Sequence, residues 1–252
     1  MMLLVESALK GNVVEADDGS VGRVHDCLFD QRNWKLRWLV VDTDGWLIGR
    51  RVLIHPSAIG RPDIDRLRLP VHLTKAQIKA SPEISFDLPI SVQMEQGIYG
   101  YYGWDSEWGG GGYFAGYPAL GDGEAQVLDR PGSDYTTDLG RGDPNLRSMA
   151  AVNGYHVEAT DGSIGHIENF IIDDVSWDVR YLIVDTKNWW FGQHVLISPF
   201  AVRHINWMEQ NVVLDVSRDR IKNSPPWKPL DLIDKSYQER LHGYYEWPGY
   251  GF

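Results

Sequence analysis

Val13 to Ile59 reads VVEADDGSVGRVHDCLFDQRNWKLRWLVVDTDGWLIGRRVLIHPSAI, and His156 to Val202 reads HVEATDGSIGHIENFIIDDVSWDVRYLIVDTKNWWFGQHVLISPFAV. The two stretches align without a gap at an offset of 143, the distance from Gly19 to Gly162. The offset persists further on, pairing Ile78 with Ile221, Ser81 and Pro82 with Ser224 and Pro225, and Tyr101, Tyr102 and Trp104 with Tyr244, Tyr245 and Trp247. A unit of about 100 residues has the size of a domain, whereas solenoid repeats run to roughly 20–50 residues. The sequence therefore predicts a tandem duplication of one small domain.

Within each copy the pattern is β. Asp18-Gly19 and Asp161-Gly162 tolerate positive φ and sit between Val13-Val14 or Val157 and Val21 or Ile164, which is a hairpin signal. Gly22 and Gly165 follow as candidates for a bulge or tight bend. Val24 to Phe29 and Ile167 to Ile172 read as strands, and Leu36 to Asp42 and Val179 to Asp185, rich in β-branched and aromatic residues, as central strands. Val52 to Ile54 and Val195 to Ile197 are stopped by Pro56 and Pro199, and Arg66 to Leu73 and Val212 to Val216 supply a further strand each. Thr74-Lys75-Ala76-Gln77 has the form of a capping box, with Ser217 as the equivalent N-cap. The helix is short because Pro82 and Pro225 block its continuation. Closely spaced strands with turn signals predict a mainly β fold of two small antiparallel β-barrels, each followed by one short α-helix and joined by a Gly-rich linker. The expected division is a first barrel over 1–96, a Gly/Tyr-rich linker over 97–147, a second barrel over 148–240 and an aromatic tail over 241–252.

The pattern D-G-x-x-G, then a strand ending in V-D-T, then an aromatic-glycine turn and V-L-I-x-P, resembles a PRC-barrel domain. It is carried by Asp18, Gly19, Gly22, Val41 to Thr43, Gly49, Val52 to Ile54 and Pro56, and again by Asp161, Gly162, Gly165, Val184 to Thr186, Gly192, Val195 to Ile197 and Pro199. That family includes the cytoplasmic barrel of the photosynthetic reaction centre H subunit and the C-terminal domain of ribosome-maturation factors. The resemblance implies a non-enzymatic interaction or assembly module, with a place at a photosynthetic or other membrane complex. It brings no catalytic residue and no cofactor. Two departures are expected: the sequence has neither the anchoring helix of an H subunit nor the N-terminal RNA-associated domain of the maturation factors.

Charge and motif content agree with a protein-binding reading. A formal charge of −11 disfavours nucleic acid, because phosphate contacts need clustered cations. An RNA-processing or ribosome-associated adaptor is the alternative, and Arg50-Arg51 and Arg61 to Arg68 are the stretches that could form a basic patch, although they read first as solvated faces. The lone Cys27, opposite Phe170 in the other copy, reads as a buried apolar position in a reducing, cytoplasmic protein. No apolar run approaches the 18 or so residues that span a bilayer, so any membrane association would be peripheral. Asp42 and Asp185 read as strand-end residues bonded to turn amides. The eight histidines show no metal-ligand spacing, so no metal is expected. The candidate interaction residues are Tyr101, Tyr102, Trp104, Trp189, Trp190, Tyr244, Tyr245 and Trp247, because Tyr and Trp dominate interface hot spots. They would either dock on a protein partner or fold back over their own barrel. The two barrels would form an intramolecular pseudo-dimer or be loosely linked, and a homo-oligomer is also open.

Overall fold

The structure, a computed structural model, describes residues 2–43, 45, 47, 50–81, 92–104, 143, 145–186, 193–228 and 233–250, with the backbone alone over 92–96. The first copy contains β1 (Leu3–Val5), β2 (Val13–Ala16), β3 (Gly19–Asp30), β4 (Lys35–Asp42), β5 (Arg51–Ile54), β6 (Arg68–Pro70), α1 (Lys75–Ala80) and α2 (Val92–Tyr102). The second contains β7 (Leu146–Ser148), α3 (Met149–Val152), β8 (His156–Ala159), β9 (Gly162–Asp173), β10 (Val179–Asp185), β11 (His194–Ile197), β12 (Val202–Asn206), β13 (Asn211–Leu214), α4 (Arg218–Lys222) and α5 (Lys235–Tyr245). The fold is mainly β, in two sheets ordered β5-β4-β3-β2-β6 and β11-β10-β9-β8-β13-β12.

The duplicated turn residues explain how each sheet bends. Val14 pairs with Gly22 but Glu15 pairs with Ser20, so Val21 is bulged; the same shift occurs between Val157 and Glu158. A Cβ on Gly22 would lie 1.8 Å from the Asp42 carbonyl oxygen, and one on Gly165 1.9 Å from that of Asp185. No side chain fits where these two strands close up. The hairpin aspartates do more than turn the chain: Asp18 Oδ1 accepts from the Lys75 amide and Asp161 Oδ1 from the Arg218 amide, both at 2.7 Å. Each thereby fixes the start of a helix whose own cap is Thr74, with both halves of its capping box formed, or Ser217.

The expected antiparallel pairing is corrected. The sheets are not wholly antiparallel, because β6 returns beside β2, and β13 beside β8, in the parallel sense. Close strand spacing suggested antiparallel neighbours throughout, whereas the chain crosses the unit before coming back. Among the described residues neither ladder closes on itself. A further helix follows the short one in each copy, α2 after α1 and α5 after α4, at equivalent positions.

The copies exchange their leading strands. β1 pairs with β9 of the second copy, setting Leu3 against Asp173 and Val5 against Ile171. β7 pairs with β3 of the first, setting Leu146 against Asp30 and Ser148 against Leu28. Each arm covers an edge of the other copy's long strand that would otherwise expose unpaired backbone groups. Side chains fasten the arms in matching places: Asp26 Oδ1 accepts from the Ala150 amide at 3.2 Å, and Asn169 donates to Ser7 Oγ at 2.8 Å. Between the sheets, the Leu36 amide donates to the Trp177 carbonyl at 2.9 Å and the Val179 amide to that of Trp34 at 2.7 Å. Trp34 and Trp177 both take φ near +60°, at 56° and 59°. Phe29 and Phe170, both fully buried, meet across this junction with ring centroids 6.0 Å apart, so one apolar core runs through both copies. The arrangement is a pseudo-two-fold dimer within one chain.

Candidate interaction site

The aromatic segments fold back over their own copies. Tyr102 stacks on Trp104 with centroids 4.1 Å apart, and Tyr245 on Trp247 at 4.0 Å. Tyr101 donates to the Gln77 carbonyl at 3.0 Å and Tyr244 to that of Arg220 at 2.8 Å, which ties each second helix to the first. Tyr245 is buried, Tyr102, Trp104, Tyr244 and Trp247 are partly buried, and Tyr101 is exposed. Trp189 and Trp190, like Trp46, lie outside the described residues. The six described candidates thus cap the flanks of their own sheets, gathered as two separate clusters.

Under each cap lies a buried imidazole. His55 sits among Trp38, Tyr99 and Trp104, and burial, with the nearby Arg37 and Lys35 charges, pushes its pKa down to about 3. In the second copy the residue types are exchanged: Tyr181 replaces Trp38, Ser198 replaces His55 and His242 replaces Tyr99. Tyr181 Oη lies 2.9 Å from His242 Nε2, and His242 Nδ1 lies 2.7 Å from the Pro248 carbonyl. The carbonyl can only accept, so Nδ1 carries the proton and Nε2 accepts from the tyrosine. Burial holds this imidazole too below its ordinary pKa. Both rings are closed off from solvent and act as polar parts of small aromatic cores.

Other sequence candidates also take structural positions. The turn after β4 is tied by Thr43 Oγ1, which donates within reach of the Leu47 and Arg50 carbonyls at 2.9 and 2.7 Å. Asp42 instead faces His25 at 3.6 Å and Arg51 at 3.7 Å across the sheet. Arg50 is not a solvated cation: it donates to the Lys79 and Ser81 carbonyls at the end of α1, where orphan carbonyls and the helix dipole favour a positive charge. Cys27 is fully buried, as its exchange with Phe170 implied. Among the described residues no group of three His, Cys, Asp or Glu side chains is placed to hold a metal ion, and no helix is long and apolar enough to cross a membrane.

The feature that sequence reasoning missed is a cleft of about 520 Å³ at the junction, lined by Gln31 and Trp34 of the first copy, Asn145 and Arg147 of the exchanged arm, and Val202, Arg203, His204, Ile205 and Trp207 of the second copy. Trp207 is locked in place by Nε1 donating to Gln31 Oε1 at 3.0 Å and by the edge of Tyr155. The Arg147 guanidinium lies over its ring, 4.0 Å from the centroid. Burial depresses the Arg147 pKa, and its Nε is buried without a hydrogen-bond partner among the described residues. Among the described residues, two arginines and a histidine line the cleft and no carboxylate does, although the chain as a whole carries −11. The only signal in the sequence was divergence between copies: Arg147 corresponds to Leu4, Trp207 to Ile64 and Gln31 to Asp174. No protein-family model matches the chain, and no curated protein matches it.

Proposed function

We propose that the chain is a non-enzymatic interaction or assembly module built from two PRC-barrel-type units held as an intramolecular pseudo-dimer, with another protein as its partner. The observation that carries this reading is the reciprocal exchange of β1 and β7, which fuses the copies and creates at their junction a cleft that neither copy could form alone. The duplicated D-G-x-x-G and V-D-T patterns support the family assignment, and the resemblance to the reaction centre barrel supports a role in assembling a larger complex. The folded-back aromatic caps favour the junction over the tails as the contact surface.

The test is affinity capture by the intact chain beside a variant carrying Tyr101→Ala, altered at the exposed aromatic of the first cap, and a control protein of matched charge. Recovery of the same defined partner by both chain variants, and not by the control, is the expected result. Recovery of nothing beyond the control's proteins would remove the reading.

A further inference from the structure

The junction cleft diverges from its symmetry mate far more than the junction backbone does. The backbone hydrogen bonds of Trp34 and Leu36 are mirrored by those of Trp177 and Val179, and the arm pairings are mirrored strand for strand. The side chains around the equivalent position are not: Asn145, Arg147, Arg203 and Trp207 correspond to Met2, Leu4, Gly60 and Ile64, while neutral Gln31 corresponds to Asp174. One junction position therefore gathers Arg147, Arg203, His204 and Trp207 beside Trp34, while the other keeps Trp177 and one cation, Arg61 in place of His204, but carries Met2, Leu4, Gly60 and Ile64 with the acid Asp174 at its rim. A fold requirement would act on both positions equally.

We propose that the cleft is a recognition site for a short acidic segment of a partner protein, with Arg147 and Arg203 receiving its carboxylates and Trp34 and Trp207 taking the adjoining side chains. This deepens the interaction-module reading and rests on it. The volume falls in the usual range for specific small sites, and a guanidinium presents paired donors that match a carboxylate. The Arg147 fork is pre-oriented by its stack on Trp207, so little freedom is lost when an anion binds. The net charge decides between anions of different length. A polyanion such as RNA would set many phosphates against a chain of net charge −11, whereas a segment with one or two carboxylates can engage the cations that line the cleft.

The experiment is fluorescence anisotropy with a fluorescein-labelled acetylated peptide in which two glutamates flank a tyrosine, titrated with the full chain at low and moderate salt. Controls are the same peptide with glutamines and a labelled single-stranded uridine oligonucleotide. Saturable binding to the acidic peptide is expected, weakening with salt, falling at least tenfold in Arg147→Met, which keeps an apolar stem over Trp207, and absent with the glutamine peptide. Arg203→Met, altered at an exposed position, should weaken it as well and serves if Arg147→Met fails to fold. The inference is overturned by no saturable binding, by equal binding of the glutamine peptide, by affinity unchanged in either folded variant, or by tighter binding of the oligonucleotide. Should the peptide fail while the chain still captures a defined partner, the cleft assignment falls and the module reading stands.

Discussion

Replacing Asp173 with alanine should cost about 3–5 kcal/mol, because it breaks a buried ion pair and leaves the other charge behind. Asp173 is fully buried at the end of β9. Its Oδ2 receives Arg180 Nη2 at 2.7 Å and Nε at 3.2 Å, while Oδ1 receives the amides of Val175 and Ser176 at 2.9 and 3.2 Å. Those amides belong to the turn that presents Trp177 to Leu36, so the substitution also loosens the junction. At an m-value of about 2 kcal/mol per molar urea, a loss of about 4 kcal/mol moves the unfolding midpoint down by about 2 M. The first copy supplies an internal control. There Asp30 holds Arg32 at 2.6 Å and faces Arg37 at 3.5 Å, but Arg32 is exposed enough to regain water and Arg37 also holds Asp143 at 2.9 Å, so Asp30→Ala strands no buried charge and should cost less. The pH dependence has a definite sign. Burial works to raise the Asp173 pKa, but the Arg180 hydrogen bonds and the two turn amides outweigh it and hold the carboxyl below its ordinary 3.8. This stabilisation is complete above about 3.8 and is lost as pH falls through the lower folded value. The gap between wild type and Asp173→Ala should therefore be constant near neutrality and narrow in acid. A loss under about 1 kcal/mol, or one no larger than that of Asp30→Ala, would refute the reasoning.

Three further outcomes follow from single residues. Gly165→Ala places a methyl 1.9 Å from the Asp185 carbonyl oxygen, so the strands must part, and a thermal scan should show a loss of several kcal/mol, near the upper end of single-substitution effects. Glu6 is fully buried, its carboxylate oxygens have no hydrogen-bond partner among the described residues, and Lys10 is 3.7 Å away. Burial raises its pKa above 4.5 against the opposing pull of Lys10. The contribution of Glu6 to stability is therefore most favourable below about 4.5 and declines as pH rises towards its folded value, because the unfolded chain ionises first. Glu6→Met, which copies Met149, should stabilise the protein at pH 7 and lose that advantage at pH 4 in urea titrations; the same gain at both pH values would contradict the account. Tyr245→Ala empties a buried position stacked on Trp247 and should cost about 3–5 kcal/mol by the same measurement.

Local chemistry made much of each copy legible. Gly22 and Gly165 marked the bulged approach to the next strand, and Thr74 with Gln77 marked a helix start, because those roles depend on residues within a few positions of each other. The exchanged arms were not legible. A strand of three residues such as Leu3–Val5 or Leu146–Ser148 shows no periodicity, and its partner is more than a hundred residues away. The second helices were read as linker and tail because Gly97, Gly100 and Gly243 lower helix propensity, and burial of Ile98, Tyr99, Leu241 and Tyr245 against the sheets overrides that cost. The parallel return of β6 and β13 depends on the long path between them and their neighbours. The cleft was hidden for the same reason as the arms, since Arg147 meets Trp207 only after the exchange.

Pseudo-symmetry provides a test that separates site from scaffold. Every residue of the cleft except Trp34, which is matched by Trp177, has a counterpart in the same chain that carries a different side chain, so the protein already shows alternatives to the cleft residues. Leu4 stands where Arg147 does and is buried against the shared core, and Ile64 stands where Trp207 does and packs against it. The double variant Arg147→Leu with Trp207→Ile makes the cleft resemble its counterpart. It removes the stacked guanidinium, the indole hydrogen bond to Gln31 and the edge contact with Tyr155. These are contacts at a partly open surface, so the combined loss should stay within about 2 kcal/mol, measured by urea unfolding, while binding of the acidic peptide disappears. If the variant loses more than about 4 kcal/mol, the Arg147–Trp207 pair is a structural clamp of the junction, and its divergence between copies belongs to packing rather than recognition.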